Sequence, residues 1–398
     1  MSQPEPDSGV YLVSIELRAP DANSNRSATR HRFAVYVYQL HQPTRVRSPA
    51  GVTDRSMATA APLPWLVCDH GDEQRTTTLY SVADGARRPC EEIDAELRGK
   101  RSWVTSRGSL LVWDPATLAT FLWDPRAAAA PNRQTKNKIA LQAWASPPVA
   151  GTGCAMSRDP TDPAAAGCFC TVVVLESSDT ALWYCHVNDG GTSPSPWTRY
   201  VYDVGGVFAP WDESVFAKRY APPFAAWRGR FYCDVSSDEY GVLEFSPEPA
   251  MTVVKMTGPA EVAPPPGEQW TMPFTHTLDL DGELHTACIV FSGYDAEAEA
   301  VVEFAVYRVD VAVKRCVRVD SIGDRAILAG GSNICFAGWC PATEYGLLPN
   351  SVYWVHPYED GRLHVYDVGA NTEELRDLGE GAGNNSSSCP FWIVPPHA

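Results

Sequence analysis

From Pro64 onward the chain consists of short apolar or alternating runs of about 5–8 residues, each ended by Gly, Asp, Asn or Pro. TTLYSVADG, ATFLWDP, FCTVVVLESSD and THTLDLDGELHTAC are examples. Runs of this length carry one strand across a sheet and are too short for a buried helix of three or more turns. The 33 prolines among 398 residues point the same way, because helix interiors do not tolerate proline. Only residues 90–97 and 342–348 read as single helical turns. An all-α bundle and a coiled coil are therefore excluded. The 44% hydrophobic content against 20% charged residues excludes global disorder and allows a large core.

Strand–turn–strand units in series fit a sandwich pair, a barrel or a propeller. Blades of about 45–50 residues would fit six or seven times into residues 61–398. The hairpins centred near Arg107, Asn188, Ser236, Asp281 and Asp360 recur unevenly, so the repeats are degenerate. Residues 151–167 and 258–268 read as long exposed loops between blades, and the 13 Trp suit packing between adjacent sheets. Residues 1–60 differ: strands at 10–18 and 32–38 flank a polar stretch, and a Ser/Thr/Ala/Pro linker follows. They read as a short extension, partly disordered or β-rich.

The formal net charge is −16. Residues 151–398 hold most of that excess, so a phosphate backbone is repelled and no nucleic-acid partner is expected. Arg26, Arg30, Arg32, Arg45 and Arg47 form the one basic cluster and read as a solvated arm. Acids and prolines stand where an export signal would be basic and apolar, and no run reaches the ~18 apolar residues of a membrane helix. The expectation is a cytoplasmic and/or nuclear protein with no membrane partner and free, buried thiols. The 12 Cys include no C-x-x-C, and Cys335 with Cys340 lacks a second ligand pair. HExxH, P-loop, GxGxxG and GxSxG are all missing. In the segment around Asp279 and Asp281 the Ca²⁺-loop Glu position is Cys288, and Asp281-Gly282 reads instead as a type I′ hairpin turn. No catalytic residue, cofactor or metal is implied. The stretch 205–223 concentrates Phe208, Trp211, Phe216 and Tyr220; it reads as a protein-binding rim or as a loop folded back onto the propeller.

Several motifs occur in a recognisable order. Ser321-Ile322-Gly323-Asp324 with residues 326–330, then Gly346-Leu347, Asn350, Val352 and Tyr353, resemble the signature of the plant F-box-associated KIB-type β-propeller family. PWLV at 64–67, Asp84-Gly85, the SRGSLLVWDPATLATFLWDP hairpin, Trp197-Thr198, the run from Trp227 to Tyr232 and the closing FWIVP with Trp392 fit the same order. The resemblance spans about residues 61–396. It implies an all-β fold, a single propeller over residues 61–398, in which Gly323, Asp324, Asn350, Tyr353 and Trp392 serve the scaffold and Trp392 lies in the strand that closes the ring. It also implies a non-enzymatic recognition domain that binds a protein client. Family members commonly dock on a Skp1-type subunit of a ubiquitin ligase through an N-terminal F-box. Residues 1–60 have no LP-x-[DE]-L opening and no amphipathic helix, so a Skp1-type partner is expected only if an F-box lies upstream. The alternative is a propeller hydrolase or sugar-binding protein, which requires unpaired acids converging at the central channel.

Overall fold

A computed structural model describes residues 63–68, 76–106, 108–127, 138–148, 153–159, 170–176, 179–187, 194–209, 212–236, 238–258, 274–292, 300–331, 336–355, 361–378 and 390–395. For strand residues 207–209, 212–217, 290–292 and 300–303 it describes the backbone alone. The extension expected over residues 1–60 lies outside the described residues.

Six antiparallel or mixed sheets follow one another along the chain, built from hairpins of sequence-adjacent strands, with a non-sequential strand in the first and a parallel crossover in the last. Blade 1 is Phe391–Ile393, Trp65–Cys68, Thr78–Ser81 and Ala86–Pro89, in that spatial order. Blade 2 is Arg101–Val104, Leu110–Trp113, Thr120–Trp123 and Lys138–Leu141. Blade 3 is Cys154–Met156, Cys170–Leu175, Ala181–Val187 and Thr198–Val201. Blade 4 is Ala225–Trp227, Arg230–Ser236, Glu239–Phe245 and Pro249–Lys255. Blade 5 is Phe274–Leu280, Glu283–Ser292, Ala300–Asp310 and Arg315–Val319. Blade 6 has five strands, Ala337–Pro341, Arg325–Gly330, Ser351–Val355, Arg362–Asp367 and Thr372–Asp377, with a parallel pair where residues 326–330 meet 351–355.

In each sheet the outermost strand is the least buried. Cys154–Met156 and Phe391–Ile393 are wholly buried, whereas Thr198–Val201 and Thr372–Asp377 are mostly exposed. The buried edge is the inner one: innermost strands of successive blades lie beside one another, and Val394 packs against the Gly108 turn of blade 2. The result is a single all-β propeller of six blades, the lower of the two expected counts. Its innermost strand in blade 1 comes from the C-terminus. Phe391, Trp392 and Ile393 pair with Val67, Leu66 and Trp65, so the ring is fastened by the hydrogen bonds of one short strand.

Apolar side chains of neighbouring sheets meet at the seams. Between blades 2 and 3, Trp144 stacks on Trp197 with ring centroids 4.0 Å apart, and Trp103 and Trp183 pack on the same ring. One α-helix is described, Glu91–Leu97, with Glu91, Glu92 and Asp94 in its first turn and Ile93 and Leu97 buried. The turn at 342–348 is a 3₁₀ segment, Thr343–Tyr345. The loop expected over 151–167 is corrected in part: Cys154–Met156 forms the inner strand of blade 3, because three consecutive small or apolar side chains fit a fully buried strand.

Residues Ala60–Val204 and Tyr220–Ala398 form one compact unit, which contains the blades. Gly205–Arg219 belongs to a second, in which Gly206–Ala209 and Asp212–Lys218 pair as a two-stranded hairpin.

Candidate functional site

Two tight turns end the first hairpins of blades 4 and 5. Asp281 and Gly282 have φ of 55° and 82°, the backbone of a type I′ turn, and the Asp279 carboxylate accepts the Gly282 N–H at 2.8 Å. Arg228 and Gly229, with φ of 49° and 78°, repeat this turn in blade 4. Arginine is an uncommon occupant of the left-handed region, where an L-residue costs roughly 1–2 kcal/mol. Its guanidinium lies over the Trp227 ring, 4.5 Å from the centroid, and an exposed contact of this kind returns about 0.5–1 kcal/mol.

The two turns are joined. Trp227 Nε1–H donates to the Gly282 carbonyl at 2.8 Å, across 55 residues of sequence. Asp281 then pairs with Arg325 at the start of a blade 6 strand, and the Arg325 guanidinium lies 5.8 Å from the centroid of Trp339 on the innermost strand of that blade. Arg228, Trp227, Asp281, Arg325 and Trp339 thus form one continuous strip across three blades. Arg228 and Asp281 are exposed; Trp227, Arg325 and Trp339 are half-buried. A strip of indole and guanidinium surfaces on rigid strand ends is suited to holding another protein chain, since Trp and Arg dominate binding hot spots.

Asp281 in the strip and Asp324 beside Arg325 in sequence are both engaged. Asp281 pairs with Arg325, and Asp324 accepts the Thr343 N–H and hydroxyl at 3.0 and 2.6 Å. The Thr343 hydroxyl holds the Asp324 carboxyl below its ordinary range. Among the described residues no group of three or more His, Cys, Asp or Glu is placed to hold a metal ion. The described cysteines are free thiols, all but Cys288 buried, and burial pushes Cys340 up to about 12 and Cys316 up to about 11, away from thiolate chemistry.

The residues singled out from sequence lie elsewhere. Phe208 and Phe216 stand opposite each other in the hairpin Gly206–Ala209 and Asp212–Lys218; their side chains, and Trp211 altogether, lie outside the described residues. The stretch is therefore a hairpin and not an irregular loop, because its two halves satisfy each other's backbone groups. Tyr220 is 45% exposed and Val201 58% exposed. They flank the bond from Ala221 N–H to the Tyr202 hydroxyl, 3.1 Å, that ties together the chain on either side of the hairpin.

The signature residues gather in blade 6, except Trp392 on the inner strand of blade 1. The Asn350 side chain accepts the Ile322 N–H at 2.8 Å, and its own N–H donates to the Gly323 carbonyl at 2.9 Å. Tyr353 is fully buried and its hydroxyl accepts the Leu348 N–H at 2.9 Å. Together with the Asp324–Thr343 bonds these hold the connection that returns the chain to a parallel strand. Trp392 is fully buried, with Nε1–H donating to the Ala329 carbonyl at 2.9 Å.

Six blades closed by a C-terminal inner strand define a β-propeller, and its candidate surface is the strip. A family model described as the KIB1-4 beta-propeller matches residues 79–370, and the chain belongs to that family. No curated protein matches the chain. Similar solved structures include a functionally unknown protein from Desulfotomaculum acetoxidans, 9% identical, TM-score 0.38, covering 83% of this chain and 99% of that one. A protein from Lactobacillus plantarum is 11% identical, TM-score 0.37, covering 82% and 99%. An exo-beta-1,3-galactanase from Phanerochaete chrysosporium is 10% identical, TM-score 0.26, covering 81% and 83%. Likeness this low carries no argument about function.

Proposed function

We propose that this propeller is a non-enzymatic recognition module that binds a protein client along Arg228, Trp227, Asp281, Arg325 and Trp339. The observation that carries the reading is the chain of cation–π, hydrogen-bond and ion-pair contacts that links these five residues by way of the Gly282 carbonyl. It presets the side chains, so a client loses little side-chain entropy on binding. The stretch with Phe208, Trp211, Phe216 and Tyr220 is a second contact in this reading. The propeller supplies client recognition; a ubiquitin-ligase adaptor role requires a Skp1-type subunit in addition.

Affinity capture with the full chain tests both parts. Reversing the strip with Arg228→Glu and Arg325→Glu, with the fold checked by circular dichroism, removes the clients that wild type captures. An unchanged client set discards the strip. Trp211→Ala decides separately whether the hairpin takes part, and recovery of a Skp1-type subunit with wild type decides the adaptor role.

A further inference from the structure

The blade 4 turn breaks a local rule that the blade 5 turn obeys. Asp281 and Gly282 suit the two left-handed positions of a type I′ turn, whose first position favours Asn, Asp or Gly. In blade 4 that first position holds Arg228, at φ 49°. A long side chain there carries a backbone cost, and its one return within the fold is contact with the Trp227 ring. Where a sequence breaks such a rule without an evident structural gain, function is the expected reason.

The ring under Arg228 is fixed in place from two blades. Trp227 pairs with Arg230 across the turn, and its ring meets the buried Tyr232 ring edge-on at 5.6 Å. From blade 5 the Gly282 carbonyl holds its Nε1–H at 2.8 Å. The turn itself stands clear, since a Cβ at Gly229 would meet no atom within 4 Å. Arg228 is exposed, with its guanidinium over the ring at 4.5 Å from the centroid. A guanidinium held by its face keeps its in-plane fork of N–H donors for another partner.

The nearby acids are taken by other cations. Asp281 pairs with Arg325, Glu283 lies 3.9 Å from Arg308, and Glu244 pairs with Arg230 at 2.9 Å. Among the described residues Arg228 has no carboxylate partner. This is not for want of acids, which outnumber basic residues 48 to 32 in the chain. Arg325, the other cation of the strip, is occupied on both sides, by Asp281 and by the Ile322 carbonyl at 3.1 Å.

We propose that Arg228 is the anchor for an anionic side chain of the client, a carboxylate or a phosphate, taken as a bidentate pair on the Trp227 platform. The assignment rests on the recognition reading of the strip and names the chemistry of its client. The fork fits two oxygens of one anionic group, and the stacked ring limits the freedom that a long side chain would lose on binding.

Binding of the full chain to oriented peptide libraries tests it, with one position fixed in each pool as Glu, Gln, phosphoserine or Ser. Wild type binds the Glu or the phosphoserine pool at least about fivefold more tightly than its neutral counterpart, and the advantage shrinks as salt rises from about 0.05 to 0.5 M. The pool that gains tells carboxylate from phosphate. Arg228→Asn gives the turn its favoured Asn-Gly pair, so the fold is kept. In that variant the neutral pools bind as before and the anionic advantage is gone. Equal binding of anionic and neutral pools by wild type overturns the anchor and leaves the recognition reading standing. An advantage that survives in Arg228→Asn belongs to another cation and also overturns it. Failure of every pool to bind wild type removes the recognition reading, and the anchor with it.

Discussion

Ring closure through Trp392 can be tested quantitatively. Trp392 is fully buried, sits in the three-residue strand that fastens blade 1, and donates its indole N–H to the Ala329 carbonyl of blade 6 at 2.9 Å. Trp392→Phe keeps most of the ring but removes that donor, about 1–2 kcal/mol for a buried hydrogen bond. The smaller ring also surrenders about 1 kcal/mol of burial and packing. The expected loss is about 2–3 kcal/mol, and Trp392→Ala, which empties the site, loses about 3–5 kcal/mol. Against a total stability of about 5–15 kcal/mol these are large fractions. Urea denaturation followed by far-ultraviolet circular dichroism measures them, with unchanged m-values as the check that the unfolding reaction is the same. Trp197→Phe is the control. Phe keeps a ring against Trp144 and gives up mainly the indole bond to Gln142, 3.2 Å in an exposed setting, so it loses about 1 kcal/mol. If Trp392→Phe lies within about 0.5 kcal/mol of wild type, the strand does not hold the ring and the closure argument fails.

Stability should depend on pH through Asp234. Its carboxyl is raised from 3.8 to about 7 by burial, so the folded chain holds a proton that the unfolded chain releases. Its stabilising contribution is complete below about pH 3.8 and is lost as pH rises through about 7. Three units correspond to about 4 kcal/mol, and partial solvent contact reduces this to roughly 2 kcal/mol. Asp234→Asn removes this slope; parallel profiles for the two proteins would contradict the assignment. Gly330→Ala places a Cβ 2.2 Å from the Val355 carbonyl at φ +79°, and should cost more than about 2 kcal/mol. Gly229→Ala, at φ +78° with open space around it, should cost only about 1 kcal/mol; equal thermal shifts would contradict the clash argument. Arg228→Glu should cost about 0.5–1 kcal/mol of stability, the cation–π contact it removes, while weakening client capture.

Much of the fold was legible because β-structure is announced locally. The strand rhythm, the Asp281-Gly282 turn and the terminal strand with Trp392 depend on alternation, positive-φ turn residues and chain ends, all of which adjacent residues display. The inner strand of blade 3 was missed because Cys154–Met156 is only three residues long and sits in a Gly- and Pro-rich stretch that resembles a loop. The hairpin at 205–219 was missed as a hairpin for a related reason: aromatic and proline content masked an alternation that pairs with itself. The strip was not legible. Trp227 entered the sequence reading only within the run from Trp227 to Tyr232, and Arg325 and Trp339 were not singled out, because no local pattern marks residues that meet across blades.

Sequence alone determined the class of structure: many short strands, tight turns and a closing C-terminal strand, because these follow from hydrophobic period and backbone preference over a few residues. Tertiary structure alone decided which turns meet. Trp227 reaches Gly282 and Asp281 reaches Arg325 across 55 and 44 residues, distances over which no local pattern specifies a partner. It also decided the character of Asp234, one acid among 48 in the sequence. A carboxyl's proton affinity is set by its surroundings, and burial in the folded chain raises that of Asp234 while Thr275, distant in sequence, lowers it in part.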